Sequence, residues 1–261
     1  MPDPTPRLDA LPALSDNYIW TLSGEAGAVI VDPGEAAPVL AAAAAGLRPL
    51  AVLLTHHHAD HCGGVAALRA HWPELAVYAP HDERIANTSV RVADGEQIEV
   101  ADWTFEVIAV PGHTLSHVAY RRRAAGGELF CGDTLFSLGC GRLFEGTPAQ
   151  MLTSLDRLAA LPDATPVCCG HEYTLANATF ALAVEPGNVA LRARAAQVRA
   201  LRAEGRPSLP STLAEEKACN PFLRVREPAV KAAVDAWLGE ATADPVQTLA
   251  ALRRWKDGFA A

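Results

Sequence analysis

The chain has no C-x-x-C pair, no excess of basic residues, no internal repeat and no long uninterrupted apolar run. Each absence removes a class of protein. Six cysteines scattered at Cys62, Cys131, Cys140, Cys168, Cys169 and Cys219 in 261 residues read as reduced thiols rather than a disulfide framework. With 22 basic against 30 acidic residues the net charge is −8. That argues against a sequence-independent nucleic-acid binder, which needs a basic face to displace counterions. The least polar stretch, 36–55, is broken by Pro38, Gly46, Arg48 and Pro49, whereas a bilayer span needs about 20 apolar residues. The opening M-P-D-P-T-P-R-L-D-A lacks a basic region followed by an apolar one, so no export signal is read and a cytoplasmic protein is expected. No G-x-S-x-G elbow is present either, which removes the usual serine nucleophile.

What is present is an ordinary globular balance, half apolar and one fifth charged, in a chain able to bury roughly 70–75% of its unfolded surface. Short strands are expected at 18–22, 28–31, 50–54, 76–78, 97–100, 104–110, 117–121, 128–131 and 166–169, most of them bounded by Gly, Pro or Asp. Helices are expected at 36–46, 63–71 and 148–160, the last with Thr147 as N-cap and Pro148 in the first turn. From about residue 175 the texture becomes helical, at 175–184, 188–204, 211–217, 228–238 and 243–256. A strand-rich α/β body over 1–174 and a helical domain over 175–261 follow.

The densest chemistry is Thr55-His56-His57-His58-Ala59-Asp60-His61, behind the apolar run Leu50–Leu54. In extended backbone, positions i and i+2 share a face, so His56 and His58 point together and His57 points away. Asp60 and His61 fall in the turn that opens the next helix, placed to address a second ion. Burying so many ligand-grade groups is costly without a cation. His113, Asp133 and His171 each follow a further expected strand, where ligands of α/β proteins gather.

The pattern H-x-H-x-D-H followed by isolated His, Asp and His resembles the metallo-β-lactamase superfamily. The resemblance implies an αββα sandwich and two divalent ions per chain. Zinc is the expected metal, with iron or manganese as alternatives, because His and carboxylate ligands accept all three. By position, His56, His58 and His113 would hold one ion, Asp60, His61 and His171 the other, and Asp133 would bridge. Asp60 and Asp133 would also be the catalytic residues.

Blocks along almost the whole chain are similar to the glyoxalase II family, the hydroxyacylglutathione hydrolases. They are L-P-A-L-S-D-N-Y-I-W, C-G-D-T-L-F-S-L-G-C-G-R-L-F-E-G-T, C-G-H-E-Y-T, E-P-G-N, N-P-F-L-R and R-R-W-K-D. That resemblance implies hydrolysis of S-D-lactoylglutathione to D-lactate and glutathione by a hydroxide shared between two ions. It also implies glutathione-binding positions at Arg142, Phe144, Tyr173, Arg253 and Lys256. Arg253 and Lys256 are three apart and share a helical face. Some relatives have Lys and Tyr where Arg142 and Phe144 stand; Arg can pair with a carboxylate bidentately, while Phe forfeits a hydroxyl bond. The expected partner is the small thioester alone, acted on by a monomer. A persulfide dioxygenase with one iron on His56, His113 and Asp133 is the rival within the superfamily, and a non-catalytic metal-binding module the rival outside it. Cys62 is expected as a packed thiol, and His117 as a support for the ligands.

Overall fold

The computed structural model describes residues 6–100 and 102–259, so the first residues of the Pro-rich start lie outside it. The chain divides into two compact units, Met1–Ala109 with Ser116–Gly132, and Val110–Leu115 with Asp133–Ala261.

The first unit begins with strands β1 (Arg7–Ala13), β2 (Asn17–Ser23) and β3 (Ala28–Val31), then helix α1 (Ala37–Ala44), strand β4 (Pro49–Leu53) and helices α2 (Ala59–Cys62) and α3 (Val65–His71). Strands β5 (Ala76–Pro80) and β6 (Val90–Val92) complete one sheet in the order β1-β2-β3-β4-β5-β6. Its first three strands are antiparallel and the rest parallel. Parallel strands are covered on both faces, which explains why β3 is four consecutive buried residues. Strands β7 (Gln97–Val100), β8 (Trp103–Ala109), β9 (Val118–Arg122) and β10 (Leu129–Gly132) form an antiparallel run. In β8, Trp103, Phe105 and Val107 are buried while Thr104 and Glu106 are less so, the alternation of a half-covered strand. The two sheets are joined where β4 ends: the Tyr120 hydroxyl donates to the Leu54 carbonyl at 2.9 Å and the Val118 amide to that of Thr55 at 3.0 Å.

The second unit contains a small hairpin, β11 (Leu135–Phe136) and β12 (Gly139–Cys140), then α4 (Pro148–Ala159), β13 (Pro166–Cys169), α5 (Thr174–Val184) and α6 (Val189–Ala203). It continues through β14 (Ser211–Thr212), α7 (Leu213–Cys219), α8 (Pro228–Leu238) and α9 (Pro245–Asp257). The helix starts are written in the sequence. Thr147 with Gln150 and Thr212 with Glu215 make capping boxes, and Asn188 and Asp244 cap α6 and α9, each satisfying amides that a helix start leaves open. Leu138, Ala178, Ala181, Leu191, Ala195 and Cys219 form one apolar cluster between these elements.

The nine expected strands are present, with ends shifted by a residue or two. Three readings need correction. Strands β1, β6, β11 and β12 were not expected; Pro12 within β1 is tolerated because β1 lies at a sheet edge. The helix expected over 63–71 begins only at Val65, and a separate short helix, α2, precedes it, with Gly63 and Gly64 between the two. The helix expected over 211–217 starts later, because Ser211 and Thr212 pair with β13 and Thr212 is its cap.

Candidate metal and substrate residues

In the first unit, β3 and β4 run side by side and both end at polar turns. Asp32, just past β3, adopts φ +50° in an Asp-Pro-Gly turn. One of its carboxylate oxygens accepts from the Thr55 amide at 2.8 Å; the other accepts from the Thr55 hydroxyl at 2.7 Å and faces His61 Nδ1 at 3.0 Å. The Thr55 hydroxyl proton therefore goes to Asp32, so its oxygen accepts from His56 Nδ1, 3.0 Å away. Both contacts fix tautomers: His56 and His61 are left with Nε2 lone pairs. His56 Nε2 lies 3.1 Å from His58 Nδ1, and His61 Nε2 lies 3.5 Å from Asp60 Oδ2. The i, i+2 expectation holds, since His57 turns instead to Asp82, 3.5 Å away. Asn17 orients Asp60 by donating to its carbonyl and carboxylate at 3.1 and 3.3 Å. At Gly34 a Cβ would lie 1.9 Å from the Asp60 carbonyl oxygen, so only glycine lets the Asp32 turn approach helix α2.

His117 is buried and stacks on His56 at 4.6 Å and 17°, the supporting place expected of it. Cys62 donates its thiol to the His57 carbonyl, and burial raises its pKa; it is a packed thiol. Asp82 accepts from Arg84 and Ser116, which hold its carboxyl far below the usual range. Asp32, Asn17 and Asp82 were not singled out by the sequence reading. The signal for Asp32 was its place after a buried strand, the setting shared by His113, Asp133 and His171.

In the second unit, one carboxylate oxygen of Asp133 lies 3.5 Å from His113 Nε2 and 3.4 Å from His171 Nε2. His113 Nδ1 donates to the Arg142 carbonyl at 2.9 Å, which leaves Nε2 as a lone pair facing the carboxylate. All three residues are buried. The two imidazole nitrogens and the one carboxylate oxygen converge at distances longer than the 2.7–2.9 Å of a charge-assisted hydrogen bond. A cysteine-free nitrogen and oxygen donor set of this kind fits a divalent ion at an open, catalytic site. The first unit offers the same donor chemistry: ligand atoms of Asp32, His56 and His61 lie within 4.8 Å of one another.

The five expected substrate residues all lie in the second unit and divide into two groups. Arg142 and Phe144 are each 63% exposed, and Tyr173 is 38% exposed. Phe144 meets the His113 ring at 5.2 Å, and Tyr173 stacks on His171 at 4.7 Å and 5°. Arg253 is buried; its guanidinium donates to the Cys140 carbonyl at 2.7 Å and to Asp257 at 2.9 Å, and lies over the Phe222 ring. Lys256 stands 5.3 Å from the centre of the Phe180 ring. Burial, with Arg253 and Arg142 nearby, lowers its pKa to about 8. Among the described residues no helix is long and apolar enough to cross a membrane.

Two family models match the chain. The metallo-beta-lactamase superfamily model covers residues 15–171, and the model for the hydroxyacylglutathione hydrolase C-terminus covers 172–259. A hydroxyacylglutathione hydrolase of Xanthomonas axonopodis pv. citri (strain 306) is 57% identical over 98% of this chain and all of its own length. Among solved structures, the BLEG-1 B3 metallo-beta-lactamase aligns with TM-score 0.64 at 25% identity, over 83% of this chain and 99% of its own. TTHA1623 in a di-iron-bound form aligns with TM-score 0.53 at 31% identity, over 63% of this chain and 91% of its own. Fold and donor sets together define a metal-dependent hydrolase with the α/β metallo-β-lactamase fold and a helical C-terminal region. Within that class, the chain belongs to the hydroxyacylglutathione hydrolase family.

Proposed function

We propose that the chain hydrolyses the thioester of S-(2-hydroxyacyl)glutathione, with S-D-lactoylglutathione giving D-lactate and glutathione, the second step of methylglyoxal detoxification. The observation that carries this reading is a 57% identity to a hydroxyacylglutathione hydrolase over 98% of this chain and all of the relative's length. Residues 1–174 form the catalytic domain and 175–261 the glutathione-binding domain. His56, His58 and His113 would hold one ion, Asp60, His61 and His171 would hold a second, and Asp133 would serve both. Zinc would be the metal, with iron or manganese the alternatives; one structural relative is known in a di-iron-bound form.

Two divalent ions, when bound, lower the pKa of a water toward about 7 and polarise a carbonyl oxygen. The chain supplies everything else. Asp32 and Thr55 keep His61 and His56 in the tautomer that presents Nε2. Asp60, tethered by Asn17, accepts a hydrogen bond from the attacking water and orients it. Arg142 pairs with a glutathione carboxylate, and Phe144 and Tyr173 supply flat apolar surface beside the ligands His113 and His171. No residue needs to protonate the leaving group, because a thiolate with a pKa near 8.5 departs unaided. The six free cysteines suit a reducing cytoplasm. Every ligand and substrate position lies on one chain, so a monomer suffices.

The test is metal analysis of the purified protein paired with cleavage of S-D-lactoylglutathione. Close to two ions per chain and a thioesterase activity lost on chelation are expected. One tightly held iron, with oxygen consumed on a glutathione persulfide, would replace this reading with the dioxygenase.

A further inference from the structure

Between Asp133 and Arg142 the chain makes the tight hairpin β11–β12, in which Leu138 takes φ +60°. A two-strand hairpin this short has marginal stability alone, and its buried main-chain groups need partners. They come from the helices of the same unit, one residue after another. Asn220 Nδ2 donates to the carbonyls of Phe136 at 3.0 Å and Gly139 at 2.9 Å. Asn177 Nδ2 donates to the Ser137 carbonyl at 3.0 Å. The Leu138 amide donates to Glu216 Oε2 at 2.8 Å, and Arg253 donates to the Cys140 carbonyl at 2.7 Å. All four side chains are buried, and Asn220 also bonds Glu216 at 3.0 Å. Every residue from Phe136 to Cys140 is thus held by a side chain from α5, from α7 and its C-cap, or from α9.

The far side of the hairpin bears on the ligands. The Gly141 amide returns to the Thr134 carbonyl at 3.2 Å. A Cβ at Gly141 would lie 1.9 Å from the Asp133 carbonyl oxygen and 3.1 Å from His113 Nδ1. The next carbonyl, that of Arg142, is the one that accepts from His113. A shift of the hairpin therefore moves the main chain of Asp133 and the carbonyl that orients His113.

We propose that Asn177, Glu216, Asn220 and Arg253 are positioning residues for the metal ligands: by clamping Phe136–Cys140 they set where the Asp133 carboxylate and the His113 imidazole stand. The helices past residue 174 then belong to the metal-binding machinery as well as to substrate recognition. This rests on the reading of Asp133 and His113 as ligands.

Asn177→Ala and Asn220→Ala test it, with Asn188→Ala as the control. Asn188 caps α6 and bonds the Ala218 carbonyl, so its loss destabilises the same helices without touching the hairpin. Each protein is loaded with Co(II), and three properties are read: its visible spectrum, its affinity by chelator competition, and its melting temperature. Loss of an outer partner of a metal ligand typically costs ten- to a hundredfold in affinity. The two hairpin variants should lose Co(II) affinity on that scale and change their spectra, while Asn188→Ala melts earlier with an unchanged spectrum and affinity. Should Asn220→Ala not fold, Asn177→Ala, which gives up a single bond, decides the matter. Hairpin variants that melt early yet keep the parent's spectrum and affinity would overturn the proposal. A parent protein that binds no Co(II) would instead overturn the functional reading beneath it.

Discussion

The two units offer candidate metal donors by opposite means. In the first, His56, His58, Asp60 and His61 fall within six residues at the end of one strand, and one carboxylate, Asp32, fixes both the Thr55 backbone and the His61 ring. In the second, His113, Asp133 and His171 come from three separate loops. Their placement draws on the Arg142 carbonyl, on Gly141 and on a hairpin held by three helices. A dense motif needs one strut, whereas a dispersed one needs a subdomain. Damage should therefore concentrate in a single side chain on one side and spread thinly on the other.

The largest effect tests Asp133 as the proposed shared ligand. Asp133→Ala should reduce turnover about a thousandfold or more, the scale of removing a principal electrostatic element of an active site. Metal analysis should show both ions weakened, whereas His58→Ala should weaken mainly one. A Asp133→Ala protein with full metal content would end its assignment as the bridge. Next in size is the strut. Asp32→Ala should lower metal affinity ten- to a hundredfold, by freeing the His61 ring and the Thr55 hydroxyl at once. Thr55→Val removes only one of those contacts and should lose less; equal losses would show that Asp32 is not the organising group.

The asymmetry also governs what could be read from the sequence. The first donor set was legible because its geometry is local: extended backbone puts His56 and His58 on one face, and the apolar run of β4 marks the strand behind them. Asp32 was not, since Asp-Pro-Gly reads as a turn. Its bonds to residues 23 and 29 positions away exist only because β3 and β4 lie side by side. The N-cap at Thr147 was visible for the same local reason. Glu216 sits in the first turn of α7, where an acidic residue is ordinary; nothing local says that it is buried to receive the Leu138 amide 78 positions earlier. Arg253 is similar. Its spacing from Lys256 correctly places both on α9, but its partner is a carbonyl 113 positions away, and helical periodicity carries no information on that.

This sharpens the reading of the basic residues. Arg142→Ala should raise KM for the glutathione thioester ten- to a hundredfold with little change in kcat, since a hydrogen bond to a charged group contributes about 1.5–3 kcal/mol. Arg253→Ala should lower kcat and the melting temperature, because the Cys140 carbonyl loses its partner in a buried place. A KM-only phenotype in Arg253→Ala would return it to direct substrate contact and remove it from the hairpin clamp.

The smallest expected effect is one of pH and concerns Lys256 alone. Burial, then the Arg253 and Arg142 charges, lower its pKa from 10.5 to about 8, with Asp257 opposing. A depressed lysine is protonated below that value and neutral above it. If its ammonium pairs with a glutathione carboxylate, KM should rise as pH passes through 8, while kcat, set by the ligands, stays level. Lys256→Arg removes the inflection, because a guanidinium stays charged throughout this range. Folding stability carries the opposite sign. Between pH 8 and 10.5 the unfolded chain holds the proton that the folded one has released, so this group's contribution to stability rises with pH across the window. Titrating KM and the melting temperature from pH 7 to 10 in both proteins separates the two. A KM that climbs identically in Lys256→Arg would assign the limb to the substrate or to the metal ligands, and leave Lys256 as a residue that only packs on Phe180.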